Sequence, residues 1–266
     1  MSANTYKLWA LGNAVNDGVS GSIHIGLAAI AKRANPGEPN IVINELLCNL
    51  FARALFLPCP PGALLDNAGE NYFCSLNFNL AGQALPPSPI PLVLSKCQPL
   101  CWGVLLFDAL VMNTDRHGRN LAFDRTSERI QIFDHSRAFL PLKATIDTAI
   151  KDNAGKLGFS GHCLKQEISS MDGFDFWVAR IKSMPDYIVE ESVNEICEIG
   201  FPNDKKSVTI DFLKSRRNGI DSLIKNNIAE FPNLPKPVAT IAPLPAATAN
   251  PVPAAANVAV QPVQQK

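Results

Sequence analysis

The 266-residue sequence lacks a surplus of either charge, with 24 lysines and arginines against 24 aspartates and glutamates. A chain built to wrap nucleic acid carries a clear positive excess, so no nucleic-acid partner is expected. Long apolar runs are scarce as well. The strongest, Trp102 to Met112, is much shorter than the ~20 residues a membrane helix needs, and no membrane span is expected. The opening Met1-Ser2-Ala3-Asn4 has no basic segment leading into an apolar one, so no secretory signal is expected. The seven cysteines are odd in number and follow no disulfide-like spacing, which suits reduced thiols and a cytoplasmic location. Cys97-x3-Cys101 is the one close pair, and only His162-Cys163 offers itself as a partner for it. Small core residues are the better reading of these thiols. No internal repeat is found.

What remains is an ordinary globular composition, 47% apolar, on a chain long enough for one large or one two-lobed domain. From Pro232 onward the residues are mostly Pro, Ala, Val, Asn and Gln, with charge only at Lys236 and Lys266. Such a stretch has little means of packing and reads as a disordered tail over 232–266, a linker or a tether for a partner. Leu85 to Pro91 is too proline-rich for either regular element and divides a strand-rich part, 1–90, from a helical part, 91–231.

Before that break, Ile23, Ile25, Leu27, Ala29 and Ala31 alternate with the residues between them, the period of one continuous strand. Parity turns Lys32 toward the side of Ser22 and His24, away from the apolar face. A helix is expected from about Asn40 to Leu57, ended by Pro58, Pro60, Pro61 and Gly62. Tyr72 to Phe78 reads as a further strand. After the break, Trp102, Leu105, Leu106, Ala109 and Leu110 form a buried helical stripe. Two short strands follow, Leu121–Phe123 and Arg129–Phe133. Several helices then run to Lys225, with Phe176, Trp177, Ile181, Ile188, Val193, Ile196, Phe212, Leu213 and Leu223 as core candidates. Strands first and helices after describe an α+β protein with a cleft between lobes.

Between the buried helix and the strand pair lies Asn113-Thr114-Asp115-Arg116-His117-Gly118-Arg119-Asn120, with Asp134-His135-Ser136 beyond the hairpin. Polar residues this dense against a core need a reason, because unpaired buried polar groups are costly. A metal–phosphate site supplies one. Magnesium takes hard oxygen ligands, and Asn120 and Asp134 offer them from the two ends of the hairpin. Asp115 is then free to orient an attacking hydroxyl. Lys32, near a strand end, and Glu45, on the next helix among leucines, have the arrangement that kinases use to hold nucleotide phosphates. Gly18-Val19-Ser20-Gly21-Ser22 reads almost equally as a loop closing over phosphates or as a plain hairpin turn. Arg116 and Arg119 either contact phosphate or pair with local carboxylates, the second being favoured. His135 and His24 read as structural.

Asn113-Thr114-Asp115-x-His117-x-x-Asn120 with the later Asp134 resembles the catalytic and metal-binding segments of HipA-like kinases, and more distantly those of phosphoinositide kinases. Ala29 to Lys32, Asn44-Glu45-Leu46, Leu57-Pro58-Cys59-Pro60 and Asp211-Phe212-Leu213 fall in the order of a compact HipA-like kinase domain, so the resemblance spans residues 10 to 225. It implies a protein-kinase-like two-lobed fold, with a small strand-rich N-lobe and a larger helical C-lobe. It also implies Asp115 as catalytic aspartate, His117 as a brace of the loop, and Asn120 and Asp134 as Mg2+ ligands. Lys32, with Glu45, would hold the phosphates of ATP, and Gly18, Ser20 and Gly21 would belong to the nucleotide loop. The implied activity is transfer of the γ-phosphoryl group of ATP to a hydroxyl acceptor, a protein Ser/Thr by family resemblance. A lipid or small-molecule acceptor, or a catalytically silent nucleotide-binding module, is the alternative. The sequence departs from ordinary protein kinases at His135-Ser136, where those have Phe-Gly.

Overall fold

A computed structural model describes residues 8–15, 22–79, 87–140 and 145–235. Gly18, Ser20 and Gly21 of the expected nucleotide loop, and the tail from Lys236, lie outside the described residues. The chain up to Pro235 forms one compact unit. Strands β1 (Leu8–Ala14), β2 (Ile23–Leu27) and β3 (Ala29–Arg33) lead into helix α1 (Ile41–Ala54), followed by β4 (Gly62–Asn67) and β5 (Glu70–Leu76). The long α2 (Ile90–Leu110) comes next, then the hairpin β6 (Leu121–Asp124) and β7 (Arg129–Ile132). Helices α3 (Ile146–Asn153), α4 (Cys163–Glu167), α5 (Phe174–Lys182), α6 (Asp186–Glu198), α7 (Lys206–Asn218) and α8 (Ile220–Asn226) follow, with short 3-10 turns at Asn203–Lys205 and Ile228–Glu230. The α+β class with strands first is as the sequence led one to expect.

The expected single strand over Ile23–Ala31 is instead two. It breaks at Ala28, and β2 pairs with β1 while β3 joins the sheet β3-β5-β4. The apolar face is open, with Ile23 and Ile25 about half exposed and Leu27 37% exposed. Lys32 is the one half-buried residue of β3, so the side that parity set apart from the apolar face is the one turned inward here. The strand β4 was not expected. It turns into β5 through Ala68 and Gly69, both with positive φ, the backbone that a two-residue hairpin loop requires.

The proline break also differs. Ile90 and Pro91 open α2, where a missing N–H leaves no bond unmade. Pro99 inside α2 removes a donor, and the helix kinks at Cys97. This helix is long and apolar enough to cross a membrane by length and composition, contrary to the expectation from the shorter run, yet 56% of its apolar window is buried inside the protein. From Cys101 to Leu110 every residue is buried, so the helix is buried all round rather than along one stripe. Gly103 makes this possible on one side, since a Cβ there would lie 2.4 Å from the Trp177 ring of α5. Phe176, read as core, is 64% exposed while Trp177 is 7% exposed, as neighbours ~100° apart on a helix must differ. Phe231 and Leu234 are both buried, which carries the packed unit slightly past the expected boundary at Pro232.

Candidate active site

Three elements converge on one lysine. Lys32 of β3 donates through Nζ to Glu45 Oε1 of α1 at 2.5 Å and to Asp134 Oδ1, just past β7, at 2.7 Å. The helix supplies Glu45 from its buried face, 3% exposed, and the His135 backbone N–H donates to the same Glu45 Oε1 at 3.0 Å. Burial alone would raise the Glu45 pKa, but the His135 imidazole, with Nδ1 3.7 Å from Oε2, and the Lys32 ammonium hold it below the usual carboxylate range. Burial likewise works against the Lys32 ammonium, and the Glu45 and Asp134 carboxylates overcome it, leaving the pKa raised. Asp134 is lowered by Lys32 against its own burial. It sits at φ +58°, a left-handed backbone uncommon outside glycine and frequent at functional positions.

A buried arginine ties the loop at Asn120 to the residue before Asp134. Arg116 donates through Nη1 to the backbone carbonyls of Asn120 at 2.5 Å and Phe133 at 3.0 Å, joining the polar loop to the end of the hairpin. Its Nε and Nη2 hold Asp108 of α2 at 2.8 and 3.0 Å. Both side chains of this pair are wholly buried, and such a pair persists only when every remaining polar atom is met. Asn113 Nδ2 donates to Asp108 Oδ1 and His162 Nε2 to Asp108 Oδ2, each at 2.9 Å. His162 Nδ1 accepts the Leu164 N–H, so the ring proton sits on Nε2, and burial holds the imidazole neutral by lowering its pKa. Arg116 thus pairs with a carboxylate, as favoured. Asp108 and its bond to His162 were missed, although a lone carboxylate inside Leu105-Leu106-Phe107-Asp108-Ala109-Leu110 signalled the need for buried partners.

Asn120 Nδ2 donates to the Asp115 carbonyl at 2.9 Å. This fixes the amide while its Oδ1 accepts no hydrogen bond among the described residues. Asp134 Oδ1 is taken by Lys32 and by Ser136 Oγ, and Oδ2 is free there. The Asp115 side chain is 31% exposed and lies 3.9 Å from His117 Nε2 and 4.0 Å from Arg137 Nε. His117 Nδ1 accepts the Arg119 N–H at 3.2 Å, a bond within the loop made by a half-exposed ring. Arg137 had gone unnoticed. Its carbonyl accepts from Thr114 Oγ1 at 2.9 Å, and buried Asn44 of α1 donates to the Ser136 and Leu140 carbonyls, so the segment after Asp134 is pinned from two sides.

A cavity of about 320 Å³ opens beside these groups, within the size range of small-ligand sites. Ile30 and Phe73 of the sheet, Ile132 and Phe133 at the end of the hairpin, and the charged Lys32, Glu45 and Asp134 all line it. Cys59 is part of its wall, and burial pushes that thiol up to about 11, so it is protonated and unreactive near neutral pH. Arg119 also lines the cavity. The expectation that it pairs with a carboxylate is not met, since it makes no ion pair among the described residues.

No protein-family model matches the chain, and no curated protein matches it either. Among solved structures, the crystal structure of the Helicobacter pylori proinflammatory kinase CtkA matches with a TM-score of 0.51 at 15% identity, covering 83% of this chain and 92% of that one. A chain from the Shewanella oneidensis MR-1 toxin–antitoxin complex of HipA, HipB and operator DNA matches with a TM-score of 0.42 at 13% identity, over 85% of this chain and 64% of that one. The chain therefore shares the fold of the solved H. pylori kinase.

Proposed function

We propose that this chain is an ATP-dependent kinase that moves the γ-phosphoryl group to a hydroxyl, with a protein serine or threonine as acceptor. The observation that carries the reading is the convergence of Lys32, Glu45 and Asp134 in the lining of a largely apolar cavity. The apolar lining suits a purine ring, and the charged groups suit its phosphates. Lys32 and the unpaired Arg119 offer positive charge to those phosphates, while Glu45 holds Lys32 in place.

The donor set fits Mg2+. Among the described residues Asn120 Oδ1 and Asp134 Oδ2 are hard oxygens without hydrogen-bond donors, and an ion held by these two would take its other ligands from phosphate and water. When bound, the ion neutralises charge on the phosphate oxygens. Asp115 orients the acceptor hydroxyl and takes its proton. The acceptor oxygen then bonds to the γ-phosphorus as the bond to the β-phosphate oxygen breaks, and ADP leaves with that electron pair. His117 braces the loop and moves no proton.

Nucleotide binding read by thermal unfolding tests the site. ATP with Mg2+ should raise Tm in the wild type, and omitting Mg2+ should remove most of the increase. Asp134→Asn should respond to ATP almost equally with and without Mg2+. A wild type whose Tm ignores ATP under both conditions would contradict the assignment.

A further inference from the structure

Arg119 lines the cavity, whereas Arg137 is not among its lining residues and lies against Asp115 instead, with Nε 4.0 Å from Oδ2. The Arg137 backbone is fixed. Its carbonyl accepts from both the N–H and the Oγ1 of Thr114, the residue before Asp115, at 3.3 and 2.9 Å, and the next residue, Ala138, is buried. The side chain is 47% exposed, and its Nε also lies 3.8 Å from Glu38 Oε1. Neither carboxylate is within hydrogen-bond distance, so among the described residues the five N–H donors of this guanidinium are uncommitted. Arg137 thus combines an anchored backbone with unspent donors, at the acid that orients the acceptor hydroxyl.

We propose, resting on the kinase reading above, that Arg137 recognises a carboxylate side chain next to the acceptor hydroxyl. The substrate class is then a serine or threonine flanked by Asp or Glu. A hydroxyl hydrogen-bonded to Asp115 lies within roughly 7 Å of Arg137 Nε, the span of one or two residues of an extended peptide. A guanidinium fork takes a carboxylate through two parallel bonds, which Asp115 and Glu38 do not supply at 4.0 and 3.8 Å. Glu38, with a side chain 31% exposed, is the loose counter-ion that the acceptor's carboxylate displaces. A lysine or arginine in the same place meets Arg137 at like charge, and it reaches Asp115 only by pushing that guanidinium aside.

Transfer of labelled phosphate from Mg2+-ATP to three short peptides tests this, each with one serine flanked on both sides by Glu, Gln or Lys in an otherwise identical alanine sequence. For the wild type, kcat/KM should be about 5–10-fold higher with the Glu peptide than with the Gln peptide, and lower again with the Lys peptide. The preference should lie in KM, because the flanking carboxylate is bound equally before and during transfer, and it should shrink at high salt. Arg137→Gln should level the Glu and Gln peptides, and Arg137→Glu should favour the Lys peptide. Comparing peptides within one protein cancels any overall loss of activity in a variant. A wild type that phosphorylates the Glu and Gln peptides equally overturns the inference and leaves the kinase reading standing. So does Arg137→Glu protein that keeps the wild-type preference. A wild type that phosphorylates none of the three overturns the inference together with the reading beneath it.

Discussion

Lys32 answers two carboxylates at once, and the balance among the three charges sets how the site responds to pH. Glu45 and Asp134 have folded pKa values lowered from 4.5 and 3.8. Their contribution to stability is complete above those unfolded values and is lost as pH falls through the lower folded ones. Lys32 is raised above 10.5, so its contribution is complete below that value and is lost as pH rises through the folded one. The triad therefore supports the fold from about pH 5 to about pH 10. Lys32→Met leaves Glu45 buried without its cation. It should cost about 1–3 kcal/mol at pH 7, less than a fully buried pair because the Asp134 side chain is 39% exposed. Urea unfolding from pH 3 to 8 checks this, and the deficit should shrink below about pH 4 as the carboxylates protonate. A deficit independent of pH would mean that the lysine stem, and not its charge, carries the effect.

Between elements, Arg116 is the decisive link. One guanidinium ties α2 through Asp108, the polar loop through the Asn120 carbonyl, and the β6–β7 hairpin through the Phe133 carbonyl. A lysine has one nitrogen where this geometry uses three. Arg116→Lys should lower stability by about 3 kcal/mol, since Asp108 loses half of its pairing in a wholly buried place. It should also weaken Mg2+-dependent nucleotide binding at temperatures where the variant is fully folded, because the loop at Asn120 and the residue before Asp134 lose their common tether. Denaturant unfolding gives the first result and nucleotide titration of the folded variant the second. A stable variant with wild-type binding would show that the loop and hairpin hold their positions without the arginine.

Across the whole molecule, the sequence was most readable where period or composition dictates structure. The strand pair around the turn at Asp124 to Glu128, the helix after Asn40 and the strand-then-helix order all followed from alternation, helical spacing and proline breaks. The Lys32–Glu45 proximity was also legible, because an acid among leucines on a helix needs a cation. What escaped depends on long-range packing. Nothing local in Ile23–Ala31 tells that the chain leaves one sheet for another at Ala28, and alternation alone cannot say whether an apolar face finds a cover. Asp108 and His162 meet across 54 residues of sequence, and Arg137 reaches Asp115 only because the segment after Asp134 folds back onto the loop.

In the proposed reaction, phosphoryl transfer rests on Asp115, the one acid of the constellation that is accessible and has no tight cation partner among the described residues. The most direct measurement is transfer of labelled γ-phosphate from Mg2+-ATP to a panel of protein and small-molecule hydroxyl acceptors, wild type beside Asp115→Asn. Turnover should fall by about 10²-fold or more in the variant, while its ATP-induced rise in Tm stays at the wild-type value. Equal turnover in the two proteins, or a wild type that binds ATP and transfers phosphate to no acceptor, would contradict the account.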